Sequence, residues 1–225
     1  MKYLISAGPT REKIDPIRFL SNRSTGKMGY ALAEAARDAG HEVVLVSGPV
    51  SLADPAGIEV VRVESAAEMA AAVESRAAAA EVVIMTAAVA DYRPVRVLAD
   101  KMKKGAGKLL LELERTEDIL ATLGRTKRPG QLLIGFAAET RDLLAYAEDK
   151  LRRKNLDWIV ANDVAAPDRG IAADVNGVTM IPAVGAPLEL PLQHKRQLAT
   201  QIIAVIDRSR SRTTPAAGRS DNRPE

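Results

Sequence analysis

The chain has 225 residues, 47% of them hydrophobic but only 3% aromatic, and 32 basic against 29 acidic side chains leave a formal charge of +3. That length suits one large α/β domain, or one domain with an appendage, and a core drawn from Ala, Val, Leu and Ile suits helices packed on a parallel sheet. The absence of cysteine excludes disulfides, thiolate catalysis and thiolate-ligated metals, and two distant histidines, His41 and His194, argue against a histidine-rich zinc site.

The elements follow in chain order. Lys2–Ile5 reads as a short strand ending in Ser6-Ala7-Gly8. A long loop follows, and Gly26 opens an amphipathic helix over Lys27–Ala39, closed by Gly40 at its C′ position. Glu42–Val46 and Ile58–Val63 are strands. Ser65 and Glu68 form a Ser-x-x-Glu capping box for a helix to about Ala79. Val82–Met85 is a buried strand running into Thr86-Ala87-Ala88. Leu109–Leu113 is strand-like, Glu117–Leu123 a short helix, Leu132–Phe136 a strand and Asp142–Lys154 a helix. Trp158–Val160 is a strand ended by Ala161-Asn162-Asp163. Val178–Leu192 has a hairpin pattern, with Asn176-Gly177 as a turn signal ahead of it, and Gln197–Ile206 is a last helix. From about Ser209 the composition predicts a disordered basic tail, which leaves a single domain over 1–208 and a tail over 209–225.

Repeated strand–helix–strand units predict an α/β fold, a mostly parallel sheet with helices on both faces. Two segments, 92–114 and 164–192, interrupt the alternation with Gly, Pro and short β patterns. They are expected to form a small β flap, paired with each other or used in a dimer contact. The arginines of the tail (Arg208, Arg210, Arg212, Arg219 and Arg223) read as a solvated end rather than a nucleic-acid arm. With no signal-peptide pattern and no apolar run of membrane-spanning length, a cytoplasmic protein without a membrane partner is expected.

In open α/β sheets, ligands bind outside the carboxyl ends of the strands. Four strands here end in small or polar residues, in SAGPT, MTAAVAD, GFAAE and VANDV. Each alone is a tight helix–strand crossing; four at one edge define a nucleotide-sized crevice. The stretch Ser21–Gly29 (SNRSTGKMG) adds Asn, Arg, Ser, Thr and Lys side chains beside a helix N-terminus, an anion-binding arrangement. It fits neither common phosphate loop. Gly26-Lys27 is followed by Met28 where a P-loop needs Ser or Thr, and Gly8-Pro9-Thr10 lacks the dinucleotide fingerprint. Asp91 stands at the exit of the buried strand, as a turn residue or as a partner for a ligand hydroxyl. Lys101, Lys103 and Lys104 cluster in KMKK, and Lys150 and Lys154 share one helix face. Such groups are commonly solvated surface; beside a triphosphate they would neutralise charge on departing pyrophosphate.

Taken in order, SAGPTRE–DPIRFLSNRSTGKMG, TAAVADYRP, KMKK, GFAAET and RKNLDWIVANDV resemble phosphopantothenate–cysteine ligase of the bacterial CTP-dependent type, from Met1 to about Val164 and more loosely to Asp207. The resemblance implies a Rossmann-like fold, a homodimer and Mg²⁺ accompanying the triphosphate. It implies a reaction in which CTP converts 4′-phosphopantothenate into an acyl-cytidylate with release of pyrophosphate. L-cysteine then displaces CMP, a step of coenzyme A biosynthesis. It further implies that Asn22 engages the acyl intermediate in the second half-reaction and that Lys101 contacts the triphosphate. Met85, Thr86 and Ala87 would line the nucleotide, Asp91, Lys150 and Lys154 would contact it, and Phe136 would lie beside the cytosine. Metal ligands are not identified. One departure stands in the nucleotide-contact segment Glu117, Asp118, Ile119 and Leu120: many bacterial members have Asn-Pro-Asp-Ile where this chain has Thr116-Glu117-Asp118-Ile119. Many members also carry a flavin-dependent decarboxylase in the same chain. Here the ligase reads as stand-alone, or as that domain by itself, with a separate decarboxylase acting next. The competing readings are a nucleotide-dependent oxidoreductase, disfavoured by the missing glycine fingerprint, and a nucleic-acid module using the tail, which would show steep salt dependence.

Overall fold

Side chains alternate across a strand, and here both faces of each central strand are apolar. In β1 (Lys2–Ala7), Tyr3, Ile5 and Ala7 face one side and Leu4 the other, all fully buried. Two-sided burial demands helices on both faces, and each fully buried Leu, Ile or Val contributes about 1.5–3 kcal/mol. The computed structural model describes residues 1–103, 108–139, 143–163 and 173–213. It contains, in order, β1, β2 (Arg11–Lys13), β3 (Phe19–Ser21), α1 (Lys27–Asp38), β4 (Glu42–Ser47), β5 (Glu59–Arg62) and α2 (Ala66–Ala77). There follow β6 (Val82–Met85), β7 (Tyr92–Pro94), β8 (Leu113–Arg115), α3 (Ile119–Thr126), β9 (Leu132–Glu139) and α4 (Leu143–Arg153). The chain then runs through β10 (Trp158–Asp163), β11 (Val175–Pro182), β12 (Leu188–His194) and α5 (Lys195–Thr213).

Eight strands form one sheet in the order β12-β11-β10-β9-β6-β1-β4-β5. β10, β9, β6, β1, β4 and β5 are parallel, and the β11–β12 hairpin adds two antiparallel strands at one edge. Helices α1 and α5 cover one face, through Leu32, Ala33, Leu198 and Ile202. Helices α2, α3 and α4 cover the other, through Met69, Val73, Leu123 and Leu151. The α/β class with a mostly parallel sheet and helices on both faces is therefore as the sequence predicts. The capping box of α2 forms as read: Ser65 Oγ accepts from Glu68 N at 3.2 Å.

Four expectations change. The loop between Gly8 and Gly26 contains a small hairpin, β2 paired with β3. The segments 92–114 and 164–192 do not pair with each other among the described residues. β7 pairs with β8, and the hairpin of β11 and β12 extends the main sheet from β10. Asn176-Gly177, expected as a turn ahead of that hairpin, makes none. It lies inside β11, where the register shifts between Asn176 and Val178, and Gly177 lies within 3.1 Å of the Leu192 backbone through its would-be Cβ. Finally, the last helix, expected over Gln197–Ile206, runs from Lys195 to Thr213 and so into the segment expected to be disordered. Its last turns are tied down, since Trp158 Nε1 donates to Ser209 Oγ at 3.3 Å and Arg210 pairs with Glu81 at 2.7 Å. The rest of the expected tail, from residue 214, lies outside the described residues, as do Lys104 and Val164.

Candidate functional site

The four small-residue strand exits belong to β1, β6, β9 and β10, which are consecutive neighbours in the sheet and parallel. Their carboxyl ends therefore open at one edge, into a cleft of about 940 Å³. Its floor is bonded across the strands. Ala88 N donates to Gly8 O at 2.9 Å, and Ala90 N donates to Thr10 Oγ1 at 2.9 Å. Over this floor runs the Ser21–Gly29 stretch. Ser21 Oγ donates to Thr10 O at 2.7 Å, and Asn22 Nδ2 donates to Ala88 O and Val89 O at 3.1 and 3.2 Å. The amide of Asn22 thus straps its loop to the TAAVAD exit while the residue lines the cleft.

Helix α1 points its N-terminus into the same cleft. Its N-cap, Gly26, sits at φ 77° and supplies no side-chain cap, and the positive end of the helix dipole faces the cleft. Gly29 lets the helix press onto the strands: a Cβ there would stand 2.5 Å from Ala7 Cβ and 2.6 Å from Thr86 Oγ1.

On the opposite face, α3 and α4 contribute the other wall. Asp118 caps α3, accepting from Ala121 N at 3.0 Å, and pairs with Lys154 Nζ at 2.6 Å. Burial alone would push the Asp118 carboxyl up, but the Lys154 ammonium and the Ala121 N–H outweigh it and hold it below the ordinary value. Lys150 Nζ donates to Phe136 O at 3.1 Å. At the segment where the motif resemblance departs, Thr116 Oγ1 donates to Ala90 O at 2.5 Å and Thr116 N to Asp91 O at 3.0 Å. The departure at this segment therefore comes with its own anchor to the TAAVAD strand exit.

Of the residues singled out from sequence, Asn22, Met85, Thr86, Ala87, Asp91, Glu117, Asp118, Ile119, Leu120, Phe136, Lys150 and Lys154 all line this cleft. Lys101 does not. It is exposed, on a segment docked at the β2–β3 turn, where Met102 N donates to Asp15 Oδ2 at 3.1 Å and Arg18 Nη2 donates to Met102 O at 3.0 Å. Asp15 is the buried hub of that turn. Arg18 beside it, then the N–H groups of Ile17, Met102 and Arg18, hold its carboxyl far below the usual range against the opposing effect of burial.

Sequence reasoning missed Lys195, took Asn176 only as a turn signal, and left Asn162 and Lys27 inside motifs without a role; all four line the cleft. Asn176 and Lys195 were hidden by the assumption of a flap. Because β11 runs antiparallel to β10, its start and the end of β12 return to the carboxyl edge of the parallel strands. The buried Oδ1 of Asn162 has no hydrogen-bond partner among the described residues, and a buried acceptor left unmet is costly. Among the described residues no cluster of three His, Asp or Glu side chains could hold a metal ion, and no helix is long and apolar enough to cross a membrane.

A parallel α/β sheet with a polar, cation-bearing cleft at its carboxyl edge is an arrangement able to accommodate anionic ligands of nucleotide size. Residues 1–209 match the family model described as the DNA/pantothenate metabolism flavoprotein C-terminal domain, and the chain belongs to that family. It is 54% identical over 204 residues to the coenzyme A biosynthesis bifunctional protein CoaBC of Bacillus subtilis (strain 168), covering 90% of this chain and 50% of that protein. The chain thus spans about half the length of the curated relatives it matches. Among solved structures, the C-terminal domain of a CoaBC protein is 49% identical, with a TM-score of 0.80 over 94% of this chain and 96% of that one. A Cab2 variant in complex with phosphopantothenate-cysteine shares the fold alone, with a TM-score of 0.76 at 17% identity over 94% of this chain and 88% of that one.

Proposed function

We propose that this chain is a phosphopantothenate–cysteine ligase domain that uses CTP, as the resemblance of its motifs implies. The observation that carries the reading is the convergence of Asn22, Asp91, Phe136, Lys150 and Lys154 on one cleft, in a chain 49% identical to a CoaBC C-terminal domain. In the first step a carboxylate oxygen of 4′-phosphopantothenate attacks the α-phosphorus of CTP. An acyl–O–P bond forms, the α–β phosphoanhydride bond breaks, and pyrophosphate leaves. In the second step the amine of L-cysteine attacks the acyl carbon. The C–N bond forms, the acyl C–O bond breaks, CMP leaves, and the amine loses a proton.

This chemistry needs no covalent enzyme intermediate. It needs two anionic reactants held in register, and such positioning contributes on the order of 7–11 kcal/mol. Asn22, strapped to the TAAVAD exit, would engage the acyl intermediate. Lys150 and Lys154 provide cations on the wall opposite α1. The unmet acceptor on Asn162 suits a donor on the nucleotide. No described cluster of acidic or imidazole groups would hold Mg²⁺, so the ion would travel on the nucleotide phosphates. Lys101 stays in the proposal as the activating lysine, delivered by a shift of its segment or by a second copy of the chain. Ile17, Val97, Leu109 and Leu110 are 58–89% exposed around the two small hairpins. Such exposed apolar side chains support a homodimer built there. A flavin-dependent decarboxylase, in the same polypeptide or another, would consume the product.

A pyrophosphate-release assay with 4′-phosphopantothenate, L-cysteine and each nucleoside triphosphate tests the reading. Release that requires the acid and CTP, followed by CMP formation that requires cysteine, is expected. Folded protein that releases no pyrophosphate with CTP would refute it.

A further inference from the structure

Lys195 is the first residue of α5 and is 5% exposed, the one lysine in the buried set among the described residues. It is nevertheless part of the cleft lining. Its position is fixed from three sides. Its backbone N donates to Asp174 O at 2.9 Å, closing the end of the β11–β12 hairpin. Helix α5 packs along α1, and Arg196 reaches Glu34 of α1 at 3.3 Å. Lys27, the first residue of α1, pairs with Asp174 at 2.6 Å. The Lys27 ammonium and the Asp174 carboxylate thereby stand near enough to Lys195 to act on its charge at the rim of the cleft. Burial, and then the neighbouring Lys27 charge, push the Lys195 ammonium below its ordinary value, with Asp174 opposing them.

This corner lies on the α1–α5 face of the sheet, and Lys150 and Lys154 lie on the α3–α4 face. The cleft thus has a cation pair on each side of the strand edge. A lysine taken out of water costs free energy that a surface lysine does not. Here it is set beside a second ammonium and the uncapped N-terminus of α1, all positive, which a phosphoryl group would neutralise together. Asp174, two-thirds exposed, occupies the Lys27 ammonium and can yield it to an arriving anion without itself being buried.

We infer that Lys195 and Lys27 form a phosphoryl-binding corner of this cleft, distinct from the Lys150–Lys154 wall, with Asp174 as the exchangeable counter-ion. The inference rests on the ligase reading only for the source of the phosphoryl group, which is the polyphosphate of the nucleotide or the 4′-phosphate of the acid.

The test measures binding directly, by calorimetry, with inorganic tripolyphosphate as the probe and then with CTP and with 4′-phosphopantothenate separately. Lys195→Met and Lys27→Met are each expected to weaken tripolyphosphate binding roughly tenfold or more, the size of a lost charge-assisted bond. Asp174→Asn is expected to strengthen it, because the competing carboxylate is gone. A matching loss for CTP alone assigns the corner to the nucleotide, and a loss for the acid alone assigns it to the 4′-phosphate. Unchanged affinities in the folded lysine variants would overturn the inference, as would unchanged or weaker binding in Asp174→Asn. If Lys195→Met does not fold, Lys27→Met and Asp174→Asn decide alone, through their opposite signs. Parent protein that binds tripolyphosphate through these lysines but never releases pyrophosphate with CTP would retain the corner and refute the ligase.

Discussion

Replacing Gly29 with Ala tests whether the seating of α1 on the strand exits sets catalysis. The added Cβ would meet Ala7 Cβ at 2.5 Å, Thr86 Oγ1 at 2.6 Å and Ser6 O at 3.0 Å. Ordinary carbon contacts are about 3.5–4.0 Å, so α1 must retreat by about 1 Å. Thr86 cannot absorb the clash by rotating freely, because its hydroxyl donates to Ser6 O at 2.6 Å. Overpacking of this kind costs about 1–3 kcal/mol, and the better helix propensity of Ala returns about 0.5–1 kcal/mol. The net loss, centred on about 1 kcal/mol and at most about 2.5, lowers the melting temperature by roughly 2–4 °C at the centre and up to about 10 °C for a chain of this size. The effect on the reaction is larger. The α1 N-terminus and Lys27 move with the helix, and a misplacement of about 1 Å can cost ~10²-fold in rate. Pyrophosphate release assayed below the melting transition is therefore expected to fall by about two orders of magnitude. Activity within a few-fold of the parent, in a protein with lowered stability, would refute the link between helix seating and the site.

Three other outcomes follow from particular contacts. Asn22→Asp is expected to release pyrophosphate but to stall before CMP; because it sets a carboxylate against the carbonyls of Ala88 and Val89, Asn22→Ala should show the same split, and ordinary ligation in both would remove Asn22 from the mechanism. Lys101→Gln is expected to lose pyrophosphate release, and Asp15→Asn to reduce it by loosening the Met102 anchor; unchanged release in both would place Lys101 outside activation. Burial, and then the Glu117 carboxylate, push the Glu74 carboxyl up, with Arg125 opposing. The folded chain therefore holds this proton more tightly than the unfolded chain, and the associated stability is lost as pH rises above the ordinary carboxylate range. Glu74→Gln should accordingly melt higher than the parent at pH 7–8, with the advantage vanishing at acid pH; equal melting across that range would contradict it.

The parallel core was legible because its signals are local. Runs such as Val82–Met85 are apolar on both faces, and the Ser65–Glu68 box and Gly40 mark helix ends by short-range chemistry. Where pairing depends on distant partners, the reading failed. Leu109–Leu113 looks more strand-like than Leu113–Arg115, yet β8 forms where Tyr92–Pro94 offers a partner. Asn176-Gly177 has the composition of a hairpin turn, but β11 and β12 bury Val178, Met180 and Leu190 against α5, and that packing sets the register around a bulge instead. The polar end of α5 looks disordered until Trp158 and Glu81, 51 and 129 residues back from Ser209 and Arg210 respectively, are seen to hold it.

The site divides in the same way. Residues at strand exits and helix starts were recoverable, because an α/β sheet sends every parallel carboxyl end to one edge whatever its sheet order. That rule placed Thr86, Asp91 and Phe136 together before any contact was known. It cannot place residues from antiparallel strands, whose opposite ends reach that edge. Asp174 and Asn176 at the start of β11, and Lys195 just after β12, are therefore the residues the rule omits, and Asp174 meets Lys27 of α1 where α5 packs along that helix. Lys101 is the converse case. Its motif marks it as chemical, yet its anchor at Asp15 belongs to the β2–β3 turn, and the fold of one chain leaves it outside the cleft. The fold therefore brings Lys27 and Lys195 to the cleft from one face of the strand edge and Lys150 and Lys154 from the other, and leaves Lys101 outside it.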